Sequence, residues 1–406
     1  MAKTQVIDAE ERTRAPFLRG ILTRSLQEAG LSFKSAYQMA SDIRQQLTDV
    51  EEIAVEDLRK MVIHRLKGHA VEKVLERYQT QGEPRPSIYV KNRQGAVAPY
   101  SNSQFGRELE IIGLKPEETQ VAVAKMYQHL MDRGEQLITD DHLGYLTYRC
   151  LHQDPDYGPM VADRYLTWIN FCRSGKPLIL LIGGTAATGK STVATALASR
   201  LDIVRYQSTD MLREVMRMMI PERLMPVLHK SSFNAGDALP VEPCNDAEKA
   251  NDSRMIAGFR TQADLLSVPC EAVIQRGLTE QVSLLLEGVH VQPNLLSQVP
   301  QDQDAVVVHV MMAVVKQKEL KKRIKGRGLK VPQRRSERYL SNFDDICRLQ
   351  SYLLDEADEH DVPIVVNDDK EKAIREVMKI VVAHLKEHFS STPDEVFGRH
   401  IVASQN

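Results

Sequence analysis

Gly184, Thr185, Ala186, Ala187, Thr188, Gly189, Lys190 and Ser191 fit the spacing G-x-x-x-x-G-K-[ST], the pattern that wraps main-chain N–H groups around phosphate oxygens. Its glycines let the backbone curl until several amides converge on one anion. A helix that begins there adds the partial positive charge of its N-terminus. In such a loop Lys190 reaches the β- and γ-phosphates, the Ser191 hydroxyl ligates Mg²⁺, and Thr192 carries the chain into the helix. ATP and Mg²⁺ are therefore the expected ligands.

Three other segments put reactive side chains within reach of such a loop. Ser208-Thr209-Asp210-Met211-Leu212-Arg213-Glu214 follows the second apolar run of this half of the chain. Asp210 can accept a hydrogen bond from an attacking oxygen or act as its base. Arg213, one helical turn on, offers a planar fork to a phosphate or carboxylate of the acceptor. Thr209 or Asp210 can equally cap a helix, and capping and catalysis are compatible. The stretch Leu284–His290 ends an apolar strand in Glu287, where an acid orients Mg²⁺ or its waters. Gly288 allows close approach of backbone and ligand, and His290 is either a substrate contact or a structural imidazole.

Between Lys316 and Arg338, eleven basic residues stand against Glu319 and Glu337, a local balance of +9. A run of this kind after the fourth strand suits a lid whose arginines neutralise charge during phosphoryl transfer. Arg323 and Arg327 share a helical face at i, i+4 and lead the candidates. A solvated or nucleic-acid-binding helix is the alternative. The run has no aromatic residue, which leaves little for base stacking, so nucleic acid is not the expected partner.

These side chains need elements that bring them together. The run Leu178–Ile182 is continuously apolar, as a strand buried on both faces must be. Shorter apolar runs follow at 203–206, 282–286, 305–312 and 362–366, separated by helical stretches. The expected fold class is α/β, with a doubly wound parallel sheet over residues 175–390. Asn367-Asp368 would then turn close to the adenine, by analogy with that fold.

The N-terminal part reads as mainly helical, with a weak internal repeat. Ala15-Pro16-Phe17 precedes Ala29-Gly30-Leu31, and Ala98-Pro99-Tyr100 precedes Ile112-Gly113-Leu114. The copies span 1–78 and 88–155, with a linker at 79–87. The second copy has a leading hairpin over 88–97; the first is expected to lack one.

The chain of 406 residues carries a net charge of −2, so any phosphate-binding charge must be local. Its cysteines, at 150, 172, 244, 270 and 347, are scattered and fit no metal knuckle or disulfide framework. The first residues lack the apolar core of a secretory signal, and no run is long enough to span a bilayer. A cytoplasmic protein without a membrane partner is the expectation.

The segments IleGlyGlyThrAlaAlaThrGlyLysSerThr, SerThrAspMetLeuArgGlu, LeuHisLysSerSerPheAsnAla (228–235), GluGlyValHis and ArgTyrLeuSerAsnPhe (338–343) occur in the order seen in archaeal-type 2-phosphoglycerate kinases and their bacterial and plant relatives. The chain resembles that family. The resemblance implies transfer of the γ-phosphoryl of ATP to a phosphorylated small acid, giving 2,3-bisphosphoglycerate. By position Lys190, Ser191, Asp210, Arg213 and Glu287 match the family motifs, and His229, Lys230 and Ser231 lie where such kinases seat the acceptor. Thr-Ala-Ala-Thr stands where Ala-Ser-Gly-Val is more usual, and Lys230 where a small polar residue is. The N-terminal repeats resemble ATP-cone domains, which bind a regulatory nucleotide; Lys91, Asn92 and Arg93 would form the basic hairpin of one. Two other readings compete: a non-enzymatic ATP sensor, and a kinase of another acceptor such as an inositol phosphate or nucleic acid.

Overall fold

The computed structural model describes residues 4–8, 13–48, 50–69, 74–75, 78, 88–134, 137–240, 247–298, 305–330 and 336–405. The linker at 79–87, Cys244, and Arg334 and Arg335 of the basic run lie outside the described residues, as does the side chain of Arg327. The chain divides into two compact units, Met1–Tyr89 and Val90–Asn406.

In the first unit, β1 (Gln5–Asp8) pairs antiparallel with β2 (Thr13–Pro16) and parallel with β3 (Glu52–Ala54). Helices Arg19–Glu28, Phe33–Gln46 and Val55–His69 complete it. Their inner faces bury Leu26, Ile43 and Leu66 in one apolar cluster. The antiparallel pair β1–β2 corrects the expectation that the first copy lacks a leading hairpin. Its strands are four residues each, too short for period-two alternation to stand out, and Ala-Glu-Glu-Arg between them has no turn-forming Gly or Asn.

The second unit opens with the same succession. Strands β4 (Tyr89–Lys91), β5 (Val97–Pro99) and β6 (Leu137–Thr139) form a sheet in the order β5-β4-β6, matching β2-β1-β3 of the first unit. Helices Asn102–Ile111, Pro116–Arg133 and Asp140–Gln153 fill the places of the three helices above. A fourth helix, Gly158–Ser174, packs on Asp140–Gln153 and on Lys370–His388 from the C-terminal part. The second copy therefore shares one compact unit with the sheet that follows.

That sheet holds β7 (Leu178–Gly183), β8 (Arg205–Ser208), β9 (Leu284–Glu287), β10 (Val306–Ala313) and β11 (Ile364–Val366) in the order β11-β10-β7-β9-β8. Every pairing is parallel. All residues of β7 are buried, which is why its sequence is continuously apolar rather than alternating. Helix Lys190–Arg200 packs with Lys370–His388, and helix Ala247–Thr279 packs with Phe343–Glu359, as the doubly wound reading required. The strand order reverses at β7, so the crevice beyond its C-terminal end is the natural ligand site. No helix among the described residues is long and apolar enough to cross a membrane.

One acid in the second copy sits uneasily. Burial, reinforced by the neighbouring Asp140, raises the Glu108 carboxyl to about 7, although Arg173 opposes the shift. An acid whose folded pKa is raised binds more protons folded than unfolded, so stability falls as pH rises from about 4.5 to about 7. Glu108→Gln should therefore melt higher than the parent at pH 8 and equally at pH 4, a comparison that thermal unfolding makes directly.

Candidate active site

The loop after β7 curls as its sequence dictates. Gly189, at φ 88°, caps helix Lys190–Arg200, and a β-carbon there would collide with Asn367 Nδ2. Ala187 also takes the left-handed conformation, at φ 66°, which costs a residue with a side chain about 1 kcal/mol. Its methyl is buried in the apolar cluster with Phe233 and Val289. The loop is braced internally: Thr188 Oγ1 donates to the Thr185 carbonyl over 2.9 Å, and Lys190 Nζ reaches the same oxygen at 2.7 Å.

Strand register then sets the acid. Glu287 lies opposite both Ile182 of β7 and Ser208 of β8, so it ends level with the start of the loop. Ser191 Oγ donates to Glu287 Oε1 at 2.9 Å, and Tyr206 OH donates to the same oxygen at 3.0 Å. Burial and the adjacent carboxylate push the Tyr206 phenol up to about 12, so it stays a donor. Glu287 is 5% exposed.

Helix Thr209–Met219 starts beside this pair. Ser208, not Thr209 or Asp210, is its cap: Ser208 Oγ accepts from the Met211 N–H at 3.2 Å. The Asp210 side chain is 69% exposed and lies 3.3 Å from Arg213 Nη2. Arg213 Nη1 donates to the Lys230 carbonyl at 3.4 Å, while its buried Nε has no hydrogen-bond partner. Lys190, Ser191, Asp210, Arg213, Glu287 and Gly288 line one cavity of about 400 Å³, together with Ser231, Ser232, Phe233 and Tyr339.

Against known proteins, no family model matches the chain. The 2-phosphoglycerate kinase of Methanopyrus kandleri is 31% identical over 306 residues, covering 75% of this chain and 90% of that protein. Those of Pyrococcus furiosus and Methanococcus vannielii are 32% and 33% identical, covering 73% and 72% of this chain and 93% and 91% of their own. The chain belongs to the 2-phosphoglycerate kinase family. An alignment of 306 residues is longer than the segment from Gly175 to the C-terminus, so the kinship reaches into the helical part before β7.

Other candidate residues of this kinase lie elsewhere. His229 Nε2 pairs with the Ile220 carbonyl at 2.8 Å, and Lys230 Nζ lies 3.6 Å from Glu222; of that segment it is the two serines that line the cavity. His290 is buried behind the cavity, 2% exposed, and burial depresses its imidazole to about 3. It is neutral at any physiological pH and does not line the cavity. Arg323 in helix Gln317–Lys330 binds main chain: Nη2 donates to the Asn367 carbonyl at 2.6 Å and Nη1 to the Thr188 carbonyl at 3.4 Å. Asn367 Nδ2 donates to the same Thr188 carbonyl at 2.8 Å. The turn after β11 and the basic helix are thus clamped to the phosphate-type loop.

Sequence reasoning missed Tyr206 and gave no role to Ser232 and Tyr339, which lie within segments it singled out. Tyr206 had a signal: it sits two residues before Ser208 on one strand, hence on the same face. Tyr206→Phe leaves Ser191 as the one hydroxyl holding the Glu287 oxygen. A hydrogen bond to a charged group is worth about 1.5–3 kcal/mol, so kcat/KM for ATP should fall about tenfold or more in steady-state assays. Unchanged kinetics would mean that Ser191 alone positions the acid.

Proposed function

We propose that this kinase phosphorylates 2-phosphoglycerate to 2,3-bisphosphoglycerate at the cavity between the Gly184–Ser191 loop and helix Thr209–Met219. The observation that supports it most is the convergence on that cavity of Lys190, Ser191, Glu287, Asp210 and Arg213. In this reading the loop amides of Gly184–Thr192 and the Lys190 ammonium hold the triphosphate of ATP. The acceptor's free hydroxyl oxygen attacks the γ-phosphorus, the bond to the β,γ-bridging oxygen breaks, ADP leaves, and Asp210 takes the hydroxyl proton. Arg213 and the Ser231–Ser232 edge bind the acceptor's carboxylate and phosphate. Arg323 acts through the clamp on Thr188 and Asn367 rather than by touching phosphate, and Arg327, one turn on, keeps its role as a lid arginine.

The donor set suits Mg²⁺: Ser191 Oγ and Glu287 Oε1, both hard oxygens, lie 2.9 Å apart at the loop's helix end. Ser191 would ligate the ion and Glu287 would hold it or its waters. When bound, the ion neutralises charge on the β- and γ-phosphates.

Incubation with labelled Mg-ATP and a panel of phosphorylated acids and polyols tests the acceptor. Label should pass to 2-phosphoglycerate and vanish with Lys190→Ala. Label on an inositol phosphate alone, or ATP binding without transfer, would replace this reading with one of its rivals. Asp210→Asn should lower kcat by about 100-fold or more while KM for ATP stays within about threefold; equal losses would leave Asp210 a structural role only.

Residues 1–78 and 88–155 are, in this reading, ATP-cone-like modules ahead of a kinase domain at 175–390. The second would take its nucleotide at the hairpin. A cavity of about 270 Å³ lies beneath the β4–β5 hairpin, lined by Asn92, Tyr100, Gln104, Glu108 and Asp140. The Tyr100 hydroxyl is buried without a hydrogen-bond partner. Arg93 at the hairpin holds Asp141 at 2.7 Å and the Val396 carbonyl at 2.7 Å, and a phosphate would compete for it. Equilibrium dialysis should find a second ATP per chain, lost in Tyr100→Ala with the first retained; one ATP per chain in the parent would refute the regulatory site.

A further inference from the structure

Behind the cavity, four segments that do not touch in sequence are joined by one chain of buried hydrogen bonds. Gln262, in helix Ala247–Thr279, donates from Nε2 to the carbonyls of Val227 at 2.6 Å and Lys230 at 3.1 Å. Both amide hydrogens are committed, so Gln262 Oε1 faces His290 Nε2 at 2.9 Å as an acceptor. That fixes the tautomer: Nε2 of His290 carries the hydrogen, and Nδ1 accepts from the Thr209 hydroxyl 3.3 Å away. Thr209 and Gln262 are fully buried, and His290 is 2% exposed. Phe259, one turn before Gln262, stacks on the imidazole at 5.9 Å with an 18° interplanar angle. Arg213, from the helix that Thr209 begins, donates to the Lys230 carbonyl as well, so the hydrogen bonds close a ring.

The ring links the three parts of the site that must agree in position. Thr209 precedes Asp210. His290 ends the turn that begins with Glu287. The carbonyls of Val227 and Lys230 belong to the segment that delivers Ser231 and Ser232 to the cavity. Gly288, between the acid and the imidazole, has φ 157°, and a β-carbon there would collide with Thr209 Oγ1; the turn and the helix start are in direct contact. An unpaired carbonyl or imidazole nitrogen at this depth would carry a desolvation penalty, so the members are held together or released together.

We propose that His290 and Gln262 are positioning residues: they transmit the placement of the Glu287 turn and the Asp210 helix to segment 226–232, and so set the acceptor-binding edge. Neither touches a reacting atom. The proposal rests on the reading of this cavity as the place of phosphoryl transfer, with the acceptor on the Ser231–Ser232 side.

Amide hydrogen exchange on the full chain without substrate tests the ring independently of which acceptor is used. Gln262→Met keeps the side-chain volume and removes every polar atom. It should speed exchange in 226–235 at least tenfold and leave 184–192 as protected as in the parent. Thr209→Val, on the far side of the imidazole, should quicken the same segment by a smaller factor. Unaltered exchange in 226–235, or equal loss of protection in 184–192, overturns the proposal, and a response to Gln262→Met alone overturns the part played by His290. With 2-phosphoglycerate as probe, Gln262→Met should raise KM for the acceptor at least tenfold and KM for ATP less than twofold. If 2-phosphoglycerate takes no phosphoryl group from the parent protein, the acceptor assignment fails, while the exchange result still decides the ring.

Discussion

A carboxylate at the end of an apolar strand, held by two hydroxyls, is the contact on which the site depends. Burying Glu287 would be costly if its oxygens met no donor. Ser191 and Tyr206 both donate to Oε1, and each comes from a different element. The acid therefore fixes the start of helix Lys190–Arg200 relative to β8, while register fixes the acid relative to β7. Hydrogen bonds and register thus tie loop, acid and second strand into one frame, which is what a site working by positioning and electrostatics needs.

Around that frame the polar residues divide into those that face the cavity and those that brace it. Arg323 belongs with the braces. Its guanidinium and the Asn367 amide share the Thr188 carbonyl, so the basic helix and the turn after β11 are tied to the back of the loop. Leu320 and Ile324 of the same helix are buried in the apolar cluster beside Phe343 and Ile346. A helix with so many charges thus keeps an apolar stripe, and one arginine serves as main-chain donor rather than as a free cation. His229, Lys230 and His290 follow the same logic: each satisfies a neighbour within the protein.

The repeated module shows how a short hairpin can hide. Copy two announces its turn with Asn-Arg-Gln-Gly, where the Asn92 side chain accepts from the Gln94 and Ala96 amides. Copy one has no such residue between β1 and β2, yet its strands pair, because β1 is also held by β3 on its other edge. Long-range pairing supplied what local turn chemistry did not.

By itself the sequence determined the sheet, the phosphate-type loop and the identity of the acid that faces it. Those features are local: a run buried on both faces must be apolar throughout, a curled loop needs its glycines, and a carboxylate ending an apolar strand stands out. Tertiary structure alone decided the orientation of the long side chains and the partners of the buried polar ones. Tyr206 and Gln262 carry no motif, and His290 stands in one that does not name its partner, because their roles come from groups brought close across 81, 35 and 28 residues of chain. Arg323 and Lys230 could have faced phosphate on spacing alone. Their heads lie instead against carbonyls and a carboxylate supplied by other segments, and no periodicity in a single sequence encodes which of two available acceptors a flexible cation will find.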